Sequence, residues 1–435
     1  MRSLITVICA ALLAACATPP PSADSPQAGA RRTIDIAAEQ WVRMALEIDA
    51  HEEGYVDAYF GPGEWRAEAE ARPRSVEQLT AATETLEARL RSVYERDTDP
   101  DSVRRARYLI EQVESARFRL GMIRGERASF LAEVDALFAM PITLRPIESY
   151  DAALARLDAL LPGDGTLAER MGAFRRRSEI PSDRVQVVMD RAIAECRART
   201  AAHLDLPENE SFSMEFVTGE SWGAYNWYQG ENQSLIQVNM DRPLQIGSSL
   251  VYGCHEGYPG HHVQGIYNER NYRERGWVEY SVAPLYAPVS PLNEGGANYG
   301  VELAFPGDER MRFERDVLYP LAGLDPHVAV ENAAMRAALD DLMGVGATIA
   351  ALYLDREIDR ERAIELKQRY ELMSRERAEQ SLRFVERYRA YVINYDLGEA
   401  LVRDYVERAG ATPDEHWAAF ERILTEPTLP TDLLP

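Results

Sequence analysis

Apolar residues between positions 33 and 206 recur at spacings of three and four, which is the period of an amphipathic helix. The pattern is clearest in "TIDIAAEQWVRMALEIDA", "SVEQLTAATETLEARLRSVY" and "SVRRARYLIEQVESARFRLGMI". Proline and glycine separate these segments, as in "FGPGEW" and "LLPGDG", and indicate turns between helices. The pattern therefore predicts a helical region over residues 33–209.

The periodicity changes near residue 210. "SFSMEFVTG" alternates, and two short aromatic or β-branched runs flank the turn-like "QGEN" at 229–232, which favours a small antiparallel sheet with "SLIQVNM" as one strand. A helix is predicted next, over about 246–270, and a second one opens at "NEGGANYGVELAF" after a loop rich in Pro and Tyr. Helical periodicity then continues to about residue 410, and the long run near 358–395 is compatible with two helices. The predicted fold is mainly α, a large helical body in which 33–209 and 210–435 form one compact unit, with the small sheet beside the helix over 246–270.

The N-terminus has the pattern of a secretory signal. "MRSLITVICAALLAAC" carries Arg2, an apolar run and small residues ending at Cys16. "LAAC" resembles the bacterial lipobox, so residues 1–15 are predicted to be removed and Cys16 to receive a lipid; an ordinary cleaved signal with an incidental cysteine is the alternative. Residues 16–32, rich in Pro, Ser and Ala, are expected to form a disordered tether.

The net charge and the hydropathy of the rest of the chain restrict which binding partners are expected. A formal net charge of −23 argues against nucleic acid, whose phosphates the protein would repel. No other stretch was expected to span a bilayer, so membrane contact is predicted only through the lipid. Ala17, rather than Asp, follows the lipidated position and favours the periplasmic face of the outer membrane. Cys196 and Cys254 remain in the mature chain and are expected to be buried free thiols, although that compartment permits a disulfide.

The segment "HEGYPGHH", residues 255–262, contains three of the chain's seven histidines. Imidazole nitrogens and carboxylate oxygens are the ligands that zinc prefers, and a glutamate beside the first histidine is where zinc hydrolases place the general base. Glu256 occupies that position after His255. A buried, hydrogen-bonded histidine cluster is the structural alternative.

The spacing of these histidines differs from the usual zinc helix, in which the second histidine lies four residues after the first. Pro259 stands there instead, and its ring clashes with the carbonyl of His255 in a regular helix. A bulge at Pro259–Gly260 would bring His261 back to the face of His255, whereas His262 lies on that face without a bulge, about two turns away. The spacing leaves both histidines open as the second ligand.

A third ligand should come from elsewhere, and Glu294 is the best candidate because it opens the next predicted helix. An acidic residue in the first turn of a helix is also common for reasons of the helix dipole. Asn298, four residues later on the same face, could hold a ligand histidine in place, and Glu302 is a poorer alternative ligand.

These residues resemble the bacterial family called domain of unknown function 885, which is related to the gluzincin metallopeptidases. The family motif H-E-x-x-P-G-H, often followed by H-x-Q, is matched between His255 and Gln264, and the block E-G-W-A-x-Y is matched from Glu294 to Tyr299. "IQVNMD" and "GYVDAYFGP" are also similar. Gly296 stands where the family usually has tryptophan, which puts the local packing or the substrate pocket in doubt.

The resemblance implies a helical metallopeptidase that holds one zinc ion and binds a peptide substrate. It implies that His255, His261 and Glu294 are the ligands, that Glu256 is the general base, and that His262 contacts a ligand or the substrate. It further implies a tyrosine that donates to the oxyanion, for which Tyr395 is the choice, and an edge strand, "SLIQVNM", that pairs with an extended peptide.

The function expected from the resemblance is therefore a zinc-dependent peptidase that cleaves short peptides outside the cytoplasm. Two alternatives stay open: a metallohydrolase of another amide or ester in the cell envelope, and a non-catalytic peptide-binding envelope lipoprotein. The base Glu256 argues against the last, because a site without chemistry has no need of it.

Overall fold

The computed structural model describes residues 26–220 and 222–435, and the predicted signal peptide and the lipidation of Cys16 lie outside the described residues. The mainly α class is confirmed. The α-helices of the described chain are α1 Pro26–Asp49, α2 Gly63–Ala71, α3 Val76–Arg96, α4 Pro100–Ile123, α5 Phe130–Phe138, α6 Asp151–Leu160, α7 Leu167–Arg176, α8 Val185–Ala201, α9 Ile246–Tyr252, α10 His261–Arg275, α11 Ser290–Ala304, α12 Glu309–Phe313, α13 Tyr319–Ala322, α14 His327–Leu339, α15 Val345–Leu354, α16 Arg360–Tyr370, α17 Arg375–Tyr388, α18 Ile393–Arg408 and α19 Pro413–Thr425.

Shorter helical turns connect several of these elements. Two are π-helical, Gly253–Gly257 and Glu314–Leu318. The 3₁₀ turns are Ile147–Tyr150, Ser182–Arg184, Val278–Ser281, Asp340–Leu342, Arg389–Val392 and Pro430–Asp432. Local sequence explains many helix starts: Ser75, Thr166 and Thr412 each form a capping box with the residue three positions later.

The strands form two small sheets. They are β1 Val56–Tyr59, β2 Ser211–Val217, β3 Ala224–Gly230, β4 Gln233–Asn239 and β5 Val282–Pro284. β1 pairs antiparallel with β5, and the other three are ordered β2-β4-β3. β3 and β4 form the expected hairpin, with Glu231 and Asn232 at positive φ in its turn. β2 pairs parallel with β4, so this sheet is mixed, not purely antiparallel as predicted.

The buried apolar residues form two clusters. One joins α1, α3, α4 and α5 to α15, α16 and α17, and the other joins α8, β4, α10, α11 and α19. Helix α18 contributes Ile393 to the first cluster and Val402 to the second. α18 also crosses α11 at close range, because a Cβ on Gly295 would lie only 2.1 Å from the Gly398 carbonyl carbon. This crossing holds the two clusters together beside the motif.

Two boundaries differ from expectation. Helix α1 begins at Pro26, so residues 26–32 are helical where a disordered tether was predicted. Alanine, glutamine and arginine are good helix formers, and they outnumber the proline and glycine of this stretch. Strand β1 was also missed, since four residues inside a helical region carry too little periodic signal.

One described segment, 327–354, is long and apolar enough to cross a membrane, contrary to the expectation that no such stretch follows the N-terminal one. Half of its most apolar window is buried inside the protein. The chain also turns within it, at Gly344, whose φ is +81°. Val328 belongs to the second apolar cluster and Ile349 to the first, so both helices are part of the core.

Candidate metal centre

The motif segment is broken, not continuous over 246–270 as predicted. α9 ends at Tyr252, a wide π turn covers Gly253–Gly257, and α10 starts again at His261. The Tyr258–Pro259 peptide bond between them is cis. The chain can pass so close to the π turn only because residue 260 is glycine: a Cβ there would lie 1.8 Å from the carbonyl oxygen of His255. The bulge therefore falls before the proline, and the proline itself marks a complete break.

This break brings His261 beside His255 and across from Glu294 on α11. The imidazole rings of His255 and His261 are 4.7 Å apart, centroid to centroid. Glu294 Oε2 lies 3.5 Å from His255 Nε2 and 3.7 Å from His261 Nε2, and the three ligand atoms are all within 4.8 Å of one another. Ligands about 2.1 Å from a tetrahedral zinc would be roughly 3.4 Å apart. The set thus has the composition and close to the spacing of a three-ligand zinc site.

The Glu294 carboxylate gives a second test of the fit. Its Oε1 accepts a hydrogen bond of 2.7 Å from the Tyr391 hydroxyl. Its Oε2 is buried and makes no hydrogen bond. A buried, unpaired carboxylate oxygen is costly unless a cation or donor meets it. Oε2 is the atom that faces both imidazoles, so a divalent ion held there would satisfy it.

The other nitrogen of each histidine is held by a side-chain amide. His255 Nδ1 lies 2.9 Å from Asn298 Oδ1, and His261 Nδ1 lies 2.9 Å from Gln264 Oε1. The amide nitrogens of Asn298 and Gln264 donate to backbone carbonyls, so their oxygens must face the imidazoles. Each Nδ1–H then donates to an amide oxygen, which leaves the lone pair of Nε2 free for a metal. Asn298 occupies the supporting place expected of it.

The electrostatics of this group favour a bound cation. Burial lowers the pKa of His261, but the nearby carboxylates of Glu294 and Glu256 outweigh burial and raise this pKa to about 10. Burial raises the pKa of Glu294, but the two imidazoles lower it well below its usual range. Without a metal, the site therefore holds a carboxylate against protonated imidazole, and a divalent cation would displace protons on binding.

Glu256, the candidate general base, lies beside the three candidate ligands. Its Oε1 lies 4.0 Å from His255 Nε2, and its side chain faces the same cavity as the three ligand candidates. Burial raises the pKa of Glu256, the two histidines lower it, and the Glu294 charge raises it. Glu302, the weaker alternative ligand, is instead paired with Arg403 at 2.9 Å.

His262 points away from this group, contrary to the expectation that it contacts a ligand or the substrate. It is fully buried, with Nδ1 2.8 Å from Ser234 Oγ and Nε2 3.1 Å from Glu210 Oε2. Glu210 also accepts hydrogen bonds from Tyr258 and Arg197. Because successive residues of a helix point about 100° apart, α10 directs His261 into the cavity and His262 under the sheet. His262 thus anchors the broken turn.

Tyr395 lines the cavity, as expected of an oxyanion donor. Burial and the charges of Glu294 and Glu256 raise the pKa of Tyr395 well above its usual value, so its hydroxyl keeps its proton. Tyr391, one turn earlier, was missed although it contacts Glu294 directly. The repeated tyrosines in "YRAYVINY" carry that signal, since spacings of three and four share one face of a helix.

The cavity has a volume of about 720 Å³ and lies where the two apolar clusters meet. Its wall is built from β1, β3, α10, α11 and the segment 384–395. The strand expected to pair with a peptide, "SLIQVNM", is β4, and β4 is the central strand with both edges occupied. That expectation was wrong because strand order cannot be read from alternation alone. The edge that faces the cavity belongs to β3.

The departure at Gly296 has a local explanation. A Cβ on Gly296 would lie 3.5 Å from both Gln264 Nε2 and the Phe420 ring of α19. Phe420 is fully buried and fills the space that a tryptophan at 296 would need. Gly296 is not part of the cavity wall, so the departure concerns packing behind the ligand-supporting Gln264.

Cys196 and Cys254 form a disulfide, so the expectation of two free thiols was wrong. Their Cα atoms are 5.4 Å apart, because the π turn packs against α8. The spacing of 58 residues gave no hint of this proximity. The bond ties the residue next to His255 to α8.

Comparisons with known proteins add little to this geometry. No protein-family model matches the chain, and no curated protein matches it either. A proposed lipoprotein from Colwellia psychrerythraea is similar in structure over 82% of this chain and 68% of its own, with 15% identity and a TM-score of 0.49. An M32 carboxypeptidase from Deinococcus radiodurans R1 is similar over 92% of this chain and 90% of its own, with 13% identity and a TM-score of 0.36. At these values neither likeness carries a functional argument, and the resemblance to domain of unknown function 885 stays a prediction from the motifs.

Proposed function

We propose that this chain is a zinc-dependent peptidase that cleaves short peptides outside the cytoplasm. The observation that carries the proposal is the meeting of His255, His261 and the unpaired Oε2 of Glu294 in one cavity, with Glu256 beside them. Two imidazoles and one carboxylate are the ligand set of catalytic zinc sites, which keep a further position open.

When bound, zinc acts as a Lewis acid and lowers the pKa of water, so that water can lose a proton and attack an amide at neutral pH. The Glu256 carboxylate then takes the proton from the attacking water and passes it to the leaving amine. Its buried position beside the candidate ligands raises its pKa. The Tyr395 hydroxyl donates to the carbonyl oxygen as negative charge develops there.

The peptide substrate is inferred from the shape of the cavity wall. The free edge of β3 offers backbone donors and acceptors along one side, so an extended peptide can pair with it as an additional strand. The aromatic residues Trp222, Tyr225 and Trp227 lie together on this strand and its approach, with neighbouring ring centroids 5.8 and 4.5 Å apart. They favour apolar side chains next to the cleaved bond.

The disulfide and the N-terminal pattern both support the proposed location outside the cytoplasm. Disulfides persist in oxidising compartments and are rare in the cytosol. The buried Cys196–Cys254 bond fits the bacterial cell envelope, where the lipid on Cys16 would be the anchor.

A two-part experiment tests the proposal. Protein lacking residues 1–16 is analysed for bound metal by elemental mass spectrometry, and zinc-loaded protein is then offered a peptide library with mass-spectrometric readout. We expect about one zinc per chain and cleavage of short peptides. Glu256→Gln should keep the zinc and lose the cleavage, because Glu256 is the base and not a ligand.

The alternatives give different results in the same experiment. Zinc with hydrolysis of ester or other amide substrates, but not of peptides, would favour the envelope metallohydrolase. Peptide binding without hydrolysis, unchanged by Glu256→Gln, would favour the non-catalytic binding protein. If the protein binds no zinc even when the ion is supplied, the proposed zinc-dependent function is contradicted.

A further inference from the structure

The motif "GYVDAYFGP", residues 54–62, has no role in the chemistry described so far. It contains strand β1, whose register against β5 shifts between Val56 and Ala58. Asp57 is therefore the extra residue of a β-bulge. Bulges re-aim side chains and are frequent beside active sites. Here the bulge directs Asp57 into the cavity that contains the candidate metal centre.

Within the cavity, Asp57 meets a residue from the opposite wall. The hydroxyl of Tyr225 on β3 donates a hydrogen bond to Asp57 Oδ1. This bond links the Asp57 carboxylate to β3 across the cavity. No basic side chain of the described residues forms an ion pair with Asp57, although nearby Asp49 and Glu52 are both paired with arginines.

The position of Asp57 relative to the reaction centre is also informative. Asp57 lines the same cavity as His261, Glu294 and Glu256. A zinc ion with Glu294 and Glu256 would be neutral in sum, which leaves the Asp57 carboxylate as the uncompensated charge. A cationic group on the substrate would compensate it.

Peptides offer one cation at a fixed distance from the bond to be cleaved. The α-ammonium nitrogen of the first residue is about 2.5 Å from that residue's carbonyl carbon, because only two bonds separate them. A carboxylate close to the reaction centre therefore reaches the free amino end when the first peptide bond is cleaved. A lysine side chain would place its ammonium several bonds farther away.

We propose that Asp57, held by Tyr225, binds the free α-ammonium group of the peptide, so that the cavity selects substrates by their amino end. This rests on the proposed peptidase function and gives it a direction, removal of residues from the N-terminus. Asp57 acts by binding and selection, while Glu256 remains the base.

Binding measurements test this without relying on turnover. Zinc-loaded Glu256→Gln protein is titrated in a calorimeter with tetra-alanine, N-acetyl-tetra-alanine and N-acetyl-lysyl-trialanine. We expect tetra-alanine to bind about ten- to hundredfold more tightly than its acetylated form, as for a charge-assisted hydrogen bond. Adding Asp57→Asn should remove this preference and leave the affinity for N-acetyl-tetra-alanine unchanged.

Glu53→Gln is the matched control. Glu53 lines the same cavity but does not bind Tyr225, and its substitution removes the same charge as Asp57→Asn. It should change each affinity less than twofold. Equal losses in Glu53→Gln and Asp57→Asn would overturn the proposal, since the effect would then be a general one of charge. Tight binding of N-acetyl-lysyl-trialanine that depends on Asp57 would also overturn it and assign the site to a side-chain ammonium.

The two levels of the proposal fail differently. If wild-type protein cleaves acetylated and free peptides equally well, only the inference about Asp57 fails. If it cleaves no peptide, yet tetra-alanine binding depends on Asp57, the ammonium site stands and the peptidase function fails. Failure of tetra-alanine to bind the parent protein contradicts the inference directly.

Discussion

Two adjacent histidines with different tasks offer the sharpest test of the candidate metal centre. His261 faces Glu294, with Nε2 3.7 Å from Oε2, whereas His262 is fully buried against Glu210 and Ser234. We expect His261→Ala to weaken zinc binding strongly without unfolding the protein. We expect His262→Ala to destabilise the fold and leave zinc affinity nearly unchanged in the molecules that remain folded.

The expected magnitudes follow from the contacts. Structural zinc sites bind with roughly 10–16 kcal/mol over four ligands, or about 2.5–4 kcal/mol for each. Losing His261 should therefore weaken zinc binding by a factor of roughly 10² to 10³. Losing His262 empties a fully buried position and removes two hydrogen bonds, which costs about 3 kcal/mol of unfolding free energy.

The assay combines binding and unfolding on the same samples. Zinc affinity is measured by competition with a coloured chelator, and stability by urea unfolding with and without zinc. A ligand that binds only the native state stabilises it by about 2.7 kcal/mol at a hundred times its dissociation constant. Wild type and His262→Ala should both gain this stabilisation, while His261→Ala should gain less than about 0.5 kcal/mol at the same zinc concentration.

The opposite pattern would refute the geometry. If His262→Ala lost zinc while His261→Ala kept it, the segment would have to continue as a regular helix past Pro259, and the broken turn would be wrong. If both variants kept full affinity, the metal would lie elsewhere. His203, a histidine outside the motif whose ring stacks on Trp417, supplies the matched control: His203→Ala should change neither zinc affinity nor its stabilising effect.

Three further changes test other parts of the structure. Asn298→Ala should weaken zinc binding about ten- to hundredfold in the chelator assay, because it frees Nδ1 of the ligand His255. Cys196→Ser should lower the free energy of unfolding by about 4 kcal/mol, as expected for a loop of 58 residues, and reducing agent should then have no further effect on its urea midpoint. Burial raises the pKa of Glu399 from 4.5 to about 7 in the folded protein, so the stability that its proton provides below pH 4.5 is lost as the pH rises to 7. Glu399→Gln should therefore increase the free energy of unfolding in urea at pH 8 by up to about 3 kcal/mol, and much less at pH 4. An equal gain at both pH values would contradict this assignment.

Helical content was predictable because the 3.6-residue period is a property of each segment by itself. The start of α9 at Ile246 agrees with the predicted start near residue 246, and the hairpin was placed by the turn-like "QGEN". Pairings between distant segments were not predictable. The parallel β2–β4 pair, the β1–β5 pair and the disulfide each join residues whose proximity depends on how α8, α10 and the sheet pack together.

The same division separates the site residues that could be predicted from those that could not. His255, Glu256 and Glu294 follow from residue type and spacing, because zinc chemistry restricts its ligands and its base to few side chains. Tyr391 and Asp57 carry no such restriction. A tyrosine among 21 and an aspartate in a short strand become notable only when the fold brings one to Glu294 and the other to Tyr225.

The choice between His261 and His262 shows why a spacing rule alone was insufficient. Spacing on a helix assigns a face only if the helix is continuous, and here the wide turn at Gly253–Gly257 and the break at Pro259 reset the phase. What selects His261 is contact on both sides of the break: the carbonyl of His255 leaves no room for a side chain at Gly260, and Glu210 holds His262 beneath the sheet. The break thus determines that His261 faces Glu294, and the contact between Glu210 and His262 stabilises this conformation from beneath the sheet.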